Sequence, residues 1–352
     1  MTILVTGGAG FIGANFIIDW LQTRDEGVVN LDKLTYAGNL RNLASVEGHE
    51  SYTFIRGDIG DSVLVPDLLV EHKPRAVINF AAESHVDRSI HCADDFIGTN
   101  VVGVYRLLDN VLRYWSELPE AEQAGFRFLH VSTDEVYGAL EPGAPAFTED
   151  NSYKPNNPYS ASKAASDHLV RAFHHTYGLP ALTSNCSNNY GPFQFPEKLV
   201  PLFIHNALAQ KPLPLYGDGR QVRDWLYVRD HCAALRQVLE TGEVGEVYNI
   251  GGNNEKTNLE IATMLCEILD EIRPGNGGES YKSLVSFVKD RPGHDRRYAM
   301  DSSKIRRELG WKASETVESG IRKTVLWYLE NQDWVAATVG GGYRDWIRKQ
   351  YR

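Results

Sequence analysis

The chain opens with a glycine-rich loop between a strand and a helix. "TILVTG" is a short run of β-branched and apolar residues, and "FIGANFIIDWLQTR" follows with helical spacing. Gly8, Gly10 and Gly13 fit the pattern G-x-G-x-x-G. Gly7 provides a second fit, G-x-x-G-x-x-G, with Gly10 and Gly13. In this context the glycines let the backbone approach a pyrophosphate, and the helix N-terminus supplies positive partial charge. The opening therefore predicts a dinucleotide-binding unit.

A second apolar strand, "VVNLD", ends at Asp32. This is the spacing expected of the acid that holds the adenosine ribose of a dinucleotide. A carboxylate there repels a 2′-phosphate, so Asp32 favours NAD over NADP, although Lys33 beside it weakens that preference. The alternative is an acid in a surface turn.

Strands and helices continue to alternate after Asp32. Strands are expected at "YTFIRGD", "AVINFAA", "FRFLHVS" and "ALTSNCS", and helices at Ser62–His72, Asp95–Leu118 and Tyr159–Tyr177. This βαβ alternation predicts an α/β fold, a Rossmann-type doubly wound parallel sheet with helices on both faces. Ligands bind such sheets outside the carboxyl ends of the strands.

Length and patterning predict two domains in the 352 residues. We expect residues 1–188 to form the NAD-binding domain, which also carries the catalytic residues. Residues 189–352 would mainly bind substrate as a smaller α/β domain, with segments free to return to the first. Helices are expected there at "PEKLVPLFIHNALAQ", "TNLEIATMLCEILDEI" and "ESGIRKTVLWYLENQ".

Composition excludes several classes of function. The formal net charge of 36 − 46 = −10 disfavours nucleic acid or an anionic membrane as a partner. No apolar run approaches the ~18 residues of a membrane-spanning helix, and "MTILVTGG" lacks the features of a signal peptide. Cys92, Cys186, Cys232 and Cys266 are scattered, which predicts reduced thiols and no metal ligation. We therefore expect a cytoplasmic protein.

Two further motifs carry chemistry. "FLHVSTDEVYG" places Thr133, Asp134 and Glu135 at the end of a buried strand, where two carboxylates are unfavourable unless solvated, paired or used. "YSASK" places Tyr159 and Lys163 at positions i and i+4, on one face of a helix. A tyrosine with an ordinary pKa of about 10 can act as a base only if that pKa is lowered, which we expect of the ammonium and a nicotinamide cation. The alternatives are a solvated helix face and a surface acid pair.

These motifs resemble the extended short-chain dehydrogenase/reductase superfamily, and within it the nucleotide-sugar dehydratase family. The resemblance covers nearly the whole chain and rests on "VTGGAGFIG", "LDKLTYAGN", "FAAESHVDRS", "STDEVYG", "YSASKA", "NCSNNYGPFQFPEKL", "YGDGRQVRDWLYVRDH" and "DRPGHDRRYAMD". The first and the Tyr/Lys motif indicate only the superfamily, whereas "STDEVYG" and "NNYGPFQFPEKL" are more specific. Departures are Phe193, where the family more often has Tyr, Arg229, where it often has Glu, and a short loop after Gly138.

The resemblance implies a lyase that removes water from a nucleotide-linked hexose, namely dTDP-glucose, and leaves a 4-keto-6-deoxy sugar for deoxysugar pathways such as that of dTDP-rhamnose. Tyr159, helped by Lys163, would take the 4-hydroxyl proton that Thr133 holds while hydride passes to NAD. Glu135 would then remove the carbon 5 proton. Asp134 would protonate the departing 6-hydroxyl. Two adjacent acids in a dry cleft push their pKa values apart, so which carboxylate holds the proton at rest stays open.

The resemblance also implies sets of binding residues and a homodimer. NAD, tightly bound and regenerated each turnover, would contact Gly7, Gly10, Phe11, Ile12, Gly13, Asp32, Lys33, Leu34, Thr35, Asp58, Ile59, Phe80, Ala81, Ala82, Ser84, Thr99, Tyr159, Lys163 and Asn189. The nucleotide sugar would contact Ser84, Thr133, Asn188, Lys198, Leu199, Pro214, Leu215, Tyr216, Arg223, Asn258, Asp290, Arg291 and His294. The dimer would form through the helices at 95–118 and 159–177.

Three alternatives remain for comparison. Arg223 and Arg291 could hold loops by pairing with their neighbours Asp224 and Asp290. A nucleotide-sugar 4-epimerase would share the scaffold but has no need of an acid/base pair, so Asp134 and Glu135 argue against it. A catalytically silent NAD-binding sensor would have no need of the complete set of five catalytic residues.

Overall fold

The computed structural model describes residues 1–340. Its strands are β1 Thr2–Thr6, β2 Gly27–Asp32, β3 Tyr52–Arg56, β4 Ala76–Asn79, β5 Arg127–Thr133, β6 Ala181–Cys186, β7 Asn188–Tyr190, β8 Leu213–Tyr216, β9 Val222–Tyr227, β10 Val247–Ile250, β11 Glu255–Thr257 and β12 Val285–Val288. Its helices are α1 Phe11–Thr23, α2 Leu64–His72, α3 Val86–His91, α4 Asp94–Phe96, α5 Val104–Glu117, α6 Glu120–Gly125, α7 Pro158–Tyr177, α8 Leu199–Leu208, α9 Val228–Thr241, α10 Asn258–Ile272, α11 Ser303–Leu309, α12 Val317–Glu330 and α13 Gln332–Thr338.

Seven parallel strands form the central sheet in the order β10-β6-β5-β4-β1-β2-β3. The chain winds outwards from β1 in both directions, so the sheet has its topological switch point between β1 and β4. One face is covered by α1 and α9, and the other by α2, α5 and α7. The predicted Rossmann-type fold is therefore confirmed.

The predicted helix at 95–118 is interrupted. It runs as α4, then a π-helical segment over Ile97–Gly103, then α5. Hydropathy periodicity cannot register a π turn, which adds one residue to each hydrogen-bonded ring and is often found at functional sites. The segment carries the buried Asn100, whose side chain donates to the Ser162 hydroxyl at 2.8 Å and to the Glu83 carbonyl at 2.9 Å. It thus fastens the loop after β4 to α7.

A second core lies beyond the sheet. Helices α8, α10 and α12 pack around a three-stranded sheet, β11-β9-β7, and a parallel pair, β12-β8. Part of the second half of the chain returns to the first body, because α9 packs on α1 and β10 pairs with β6. Residues 341–352 of the predicted second domain lie outside the described residues. Across 1–340, no helix has the length and apolarity needed to span a membrane.

The Tyr137 hydroxyl connects three elements of the sheet. It donates to Oδ1 of Asn249 on β10 at 2.9 Å and accepts from Nδ2 of Asn185 on β6 at 3.0 Å. Its ring stacks on Phe147, with ring centroids 5.0 Å apart. This places the turn after β5 against the far edge of the sheet.

We predict that Tyr137→Phe lowers the free energy of unfolding by about 1–3 kcal/mol, because it leaves a buried amide oxygen without a donor. Urea denaturation would measure the loss. Thr53→Val is the control, since it removes a hydroxyl at an exposed position on β3. Equal stability of the two variants would contradict this account of the Tyr137 hydroxyl.

Candidate active site

A cleft of about 310 Å³ opens where the central strands end. Its walls come from the loops that follow β1, β2, β4, β5 and β6, together with the first turns of α1 and α7. These loops meet because parallel strands present their carboxyl ends at one edge of a sheet. The cleft crosses the switch point between β1 and β4.

Close backbone approach explains the glycines of the first loop. Gly7 has φ +71°, and a Cβ atom there would lie 2.6 Å from the backbone nitrogen of Ala81. A Cβ on Gly13 would lie 2.5 Å from the Gly7 carbonyl oxygen. No side chain caps α1 at Gly10, so the first N–H groups of that helix remain for a ligand. This cradle fits the pyrophosphate of a dinucleotide.

Asp32 forms the adjoining wall. Its carboxylate accepts the backbone N–H groups of Ala9 at 2.9 Å and Leu34 at 2.8 Å. Burial raises the pKa of Asp32, and the two backbone hydrogen bonds oppose that shift. Beside it, Lys33 pairs with Asp58 at 2.7 Å, so the lysine charge is engaged by a carboxylate. The wall fits a ribose better than a 2′-phosphate.

The structure brings nearly all of the predicted cofactor residues together. The cleft is lined by Gly7, Gly10, Phe11, Ile12, Gly13, Asp32, Lys33, Thr35, Asp58, Ile59, Phe80, Ala81, Ala82, Ser84, Thr99, Tyr159, Lys163 and Asn189. Leu34 stands outside this lining, at φ +56°, and contributes its N–H to Asp32. In the protein alone, the backbone N–H of Leu34 therefore orients the Asp32 carboxylate, and its contact with the cofactor stays a prediction.

Asp134 and Glu135 occupy unlike environments after β5. Asp134 is 2% exposed, and its Oδ1 accepts the Thr133 hydroxyl at 3.2 Å. Its Oδ2 has no hydrogen-bond partner within residues 1–340. Burial, and then the charge of Glu135, raise the pKa of Asp134 well above its ordinary value. Glu135 is half-buried and accepts from Asn157 at 3.5 Å. Of the two carboxyl groups, Asp134 is therefore the one whose burial favours the protonated form.

Tyr159 faces the same pair from the first turn of α7. That turn is set by a capping box between Asn157 and Ser160, with Pro158 at the first helical position. Burial, and then the charge of Glu135, raise the pKa of Tyr159 well above its ordinary value, while a hydrogen bond from Thr133 opposes the shift. The lowering expected from Lys163 and the nicotinamide cation stays a prediction.

Lys163 is directed away from Tyr159. Its Nζ donates to the Val131 carbonyl at 2.9 Å and lies 3.4 Å from Nε2 of His130. Burial lowers the pKa of Lys163. The i, i+4 spacing brought the two side chains to one face of the helix, but the strand carbonyl holds the ammonium.

Three cations act on Glu135, but Arg223 and Arg291 stand outside the lining of the cleft. Lys198 lines it with Ser84, Thr133 and Asn188, and its Nζ donates to the Ser84 carbonyl at 3.1 Å. The guanidinium of Arg223 lies 4.6 Å from the centre of the Tyr298 ring. Lys198, Arg223 and Arg291 all act electrostatically on Glu135.

The loop pairings considered as an alternative for the two arginines are not formed. Arg223 donates to the carbonyls of Val222 and Asp295. Arg291 pairs with Asp87 at 3.2 Å. The two guanidinium groups therefore connect separate segments of the chain, which is a long-range arrangement that adjacent residues in sequence could not indicate.

The other predicted substrate residues divide into two groups. The hydroxyl of Tyr216 donates to Asp87 at 3.4 Å, and Asp290 contacts Nδ1 of His294 at 2.6 Å. Burial lowers the pKa of His294 to about 4. The remaining residues are Leu199 at the start of α8, Pro214 and Leu215 on β8, and Asn258 at the start of α10. Leu215 is 1% exposed in the second core, so its side chain cannot contact a ligand.

Sequence reasoning missed several residues of the cleft wall. Tyr36, Glu83, Gln194 and Glu197 line it. The Tyr36 hydroxyl donates to Oε1 of Glu197 at 3.0 Å, and the Arg88 guanidinium lies 3.7 Å from the centre of the Tyr36 ring. Tyr36 and Glu197 lie in "LDKLTYAGN" and "FQFPEKL", so their position inside specific motifs was the available signal.

A Rossmann-type sheet with a Tyr/Lys pair at its cleft defines the class of extended short-chain dehydrogenases/reductases. Residues 4–324 match the family model described as GDP-mannose 4,6 dehydratase. A dTDP-glucose 4,6-dehydratase of Xanthomonas campestris pv. campestris (strain B100) is 62% identical over 97% of this chain and 97% of its own length.

Solved structures agree with this placement. A dTDP-glucose 4,6-dehydratase of Bacillus anthracis in complex with NAD is 45% identical, covers 96% of this chain and 99% of its own, and has a TM-score of 0.85. A UDP-glucose 4-epimerase of Thermotoga maritima, with UDP-glucose, reaches a TM-score of 0.82 at 27% identity, over 94% of this chain and 100% of its own. The chain belongs to the dTDP-glucose 4,6-dehydratase family.

The raised pKa of Asp134 gives a pH-dependent stability. The folded protein holds this proton more tightly than the unfolded chain, so the contribution is complete below the ordinary carboxyl pKa of 3.8 and falls as the pH rises. We predict that Asp134→Asn is more stable than the parent at neutral pH. The difference should shrink towards zero on acidification.

Urea unfolding at several values between about pH 4 and 8 would measure that difference. Asp150→Asn is the control, because Asp150 is exposed. A stability difference between Asp134→Asn and the parent that stays constant with pH would show that the Asp134 carboxyl titrates normally.

Proposed function

We propose that this chain is an NAD-dependent hydro-lyase that converts dTDP-D-glucose into dTDP-4-dehydro-6-deoxy-D-glucose and water. One observation carries the proposal: Asp134, whose burial favours the protonated form, lies next to a half-buried Glu135 beside Tyr159. An epimerase on the same scaffold moves no proton at carbons 5 and 6 and needs no such pair. The names of the similar proteins support the same reaction, and the product suits deoxysugar synthesis.

The cofactor is NAD, held by the glycine cradle, by the Asp32 wall and by Lys163. When bound, it takes up the hydride released from carbon 4 and returns it to carbon 6, so it is regenerated within each turnover. Lys163 holds its position against the Val131 carbonyl. Asp32 selects NAD over NADP, because a carboxylate repels a 2′-phosphate.

Tyr159 begins the reaction as the base. It accepts the proton of the sugar 4-hydroxyl while carbon 4 loses its hydride, which leaves a ketone. Because burial and Glu135 raise its pKa, Tyr159 depends on the positive nicotinamide ring to reach the phenolate. Thr133 bridges the sugar hydroxyl and Tyr159.

The two carboxyl groups then carry out the elimination. The ketone acidifies the hydrogen on carbon 5, and Glu135 removes it as a proton. Asp134 donates its proton to the 6-hydroxyl as the carbon–oxygen bond breaks, and water leaves. After hydride reaches carbon 6, carbon 5 regains its proton from Glu135, directly or through Asp134. The proton that Tyr159 took from the 4-hydroxyl replaces the one that Asp134 gave to the leaving group, so one sugar is converted and one water is released.

The substrate lies between two parts of the chain. Residues 1–188 supply the cofactor and catalytic groups, and residues from 189 onwards mainly supply the nucleotide-sugar contacts. Lys198, Arg223 and Arg291 provide positive charge for the two phosphates of the substrate. Tyr216 offers its ring face.

The protein acts as a homodimer that pairs α5 and α7 with the same helices of a second copy. Ile97, Val102, Tyr105 and Tyr177 are exposed apolar side chains on this surface. Sedimentation of Val102→Glu should give a monomer where the parent gives a dimer, and a parent that sediments as a monomer would contradict the assembly.

The cytoplasm is the compartment that four free cysteines favour.

The function is tested by incubating the purified protein with dTDP-, UDP-, GDP- and CDP-glucose. Mass spectrometry should show loss of one water from the dTDP sugar, with no net consumption of NAD. Formation of an epimer of unchanged mass would support an epimerase instead. Unchanged substrate would support a silent sensor.

Single substitutions should stop the reaction at different steps. Tyr159→Phe should slow formation of reduced nicotinamide by about 10²- to 10⁴-fold, the usual size of general-base help. Glu135→Gln should still oxidise carbon 4 but fail to exchange the carbon 5 hydrogen in deuterated water. Asp134→Asn should exchange that hydrogen and fail to release water.

Absorbance of reduced nicotinamide and deuterium at carbon 5 report the two stages separately. An exposed acid outside the cleft serves as the control, so Asp150→Asn should behave as the parent in both measurements. If Glu135→Gln incorporated deuterium at the parent's rate, another group would be the base.

A further inference from the structure

A cluster of buried polar side chains lies behind Lys163, on the side away from the sugar. It consists of Asn79, His130, Ser132, Ser166 and Asp167, and we call it the inner cluster. The steps proposed above assign no role to it. Asp167 lies one helical turn beyond Lys163 on α7, so the two side chains share a face of that helix.

Hydrogen bonds define the protonation of His130. The Thr6 hydroxyl donates to Oδ1 of Asn79 at 2.5 Å, which directs the Asn79 amide nitrogen to Nδ1 of His130 at 3.1 Å. Nδ1 therefore accepts, and the ring hydrogen is on Nε2. Because Nε2 carries that hydrogen, it cannot accept a hydrogen bond from the Lys163 ammonium.

Asp167 is held in place by the same cluster. Its Oδ2 accepts the Ser132 hydroxyl at 2.8 Å. Its Oδ1 lies 3.4 Å from Nε2 of His130 and has no closer hydrogen-bond partner within residues 1–340. Asp167 is 5% exposed, and Oδ1 makes no strong hydrogen bond. Water therefore screens this carboxylate little, and it can act electrostatically on neighbouring groups.

The other titratable groups around Lys163 and Asp167 are neutral. Burial lowers the pKa of His130 to about 4 and raises the pKa of the Cys186 thiol, and both face Lys163. Tyr137 and Tyr153 face Asp167, and burial raises the pKa of each hydroxyl. Asp167 is thus the anion that opposes the desolvation of Lys163.

We propose that Asp167 is a positioning residue that keeps Lys163 as an ammonium ion, and that the inner cluster holds the carboxylate at the distance this requires. The proposal rests on the function proposed above, in which Lys163 helps to hold NAD. Without Asp167, the buried lysine would release its proton at a lower pH and lose its donor geometry towards Val131 and the cofactor.

The direct test is the titration of Lys163 in the purified full chain by NMR of protein labelled with carbon-13 at lysine Cε. The Lys163 resonance is assigned by its absence in Lys163→Met. In Asp167→Asn the titration midpoint of Lys163 should lie at lower pH than in the parent. At a pH above the midpoint, each pH unit of that change lowers the fraction of Lys163 that is protonated about tenfold. Asp167→Glu keeps the carboxylate and should restore the parent midpoint.

Asp230→Asn is the matched control. Asp230 is also a buried aspartate, and its carboxylate accepts the Ser314 hydroxyl and the Glu315 backbone N–H. This variant removes the same charge from another core and should leave the Lys163 midpoint unmoved. Ser132→Ala removes only the hydrogen bond to Asp167. It should move the Lys163 midpoint to lower pH, as Asp167→Asn does, but by less. It replaces Asp167→Asn as the test variant if that protein does not fold.

Activity provides a second readout. The alkaline limb of the pH profile of kcat should move to lower pH in Asp167→Asn, while KM for dTDP-glucose changes less than about twofold. If the Lys163 midpoint were equal in the parent, Asp167→Asn and Ser132→Ala, the inference would be overturned, even if all three proteins dehydrated dTDP-glucose normally. The NMR comparison decides it even if no sugar nucleotide is dehydrated, which would overturn only the proposed function.

Discussion

The parallel pairing of β1, β4, β5 and β6 is the constraint on which the rest of the structure depends. It brings four loops that are far apart in sequence to one edge of the sheet. The glycine cradle, the wall at Ala81, the Thr133–Glu135 segment and Asn188 all meet there. Parallel strands need crossover helices, so the same pairing also places α7, with Tyr159 and Lys163, against β5.

Burial then differentiates chemically similar groups within the site. Asp134 and Glu135 are adjacent in sequence, but the turn after β5 directs one into the protein and leaves the other half-exposed among cations. Burial thus favours the protonated form of one of two residues of the same class. The inner cluster follows the same logic, because a neutral histidine and a buried aspartate surround one lysine.

The comparison between dehydratase and epimerase separates fold from chemistry. TM-scores of 0.85 and 0.82 differ little, although the identities are 45% and 27%. A shared scaffold therefore does not decide the reaction. We propose that the carboxyl pair does, because dehydration needs two proton transfers at carbons 5 and 6 that an epimerase does not make.

The sequence by itself determined the sheet, the glycine cradle and the Asp32 wall, and it predicted the catalytic groups. These are local patterns, in which spacing along one strand or one helix dictates geometry. Only the tertiary structure decided the π turn at Ile97–Gly103, the pairing of Arg291 with Asp87 and the proximity of His130 to Asp167. It also decided the burial that raises the pKa of Tyr159 in the protein alone. Such contacts and pKa values depend on burial by residues distant in the chain, which periodicity cannot report.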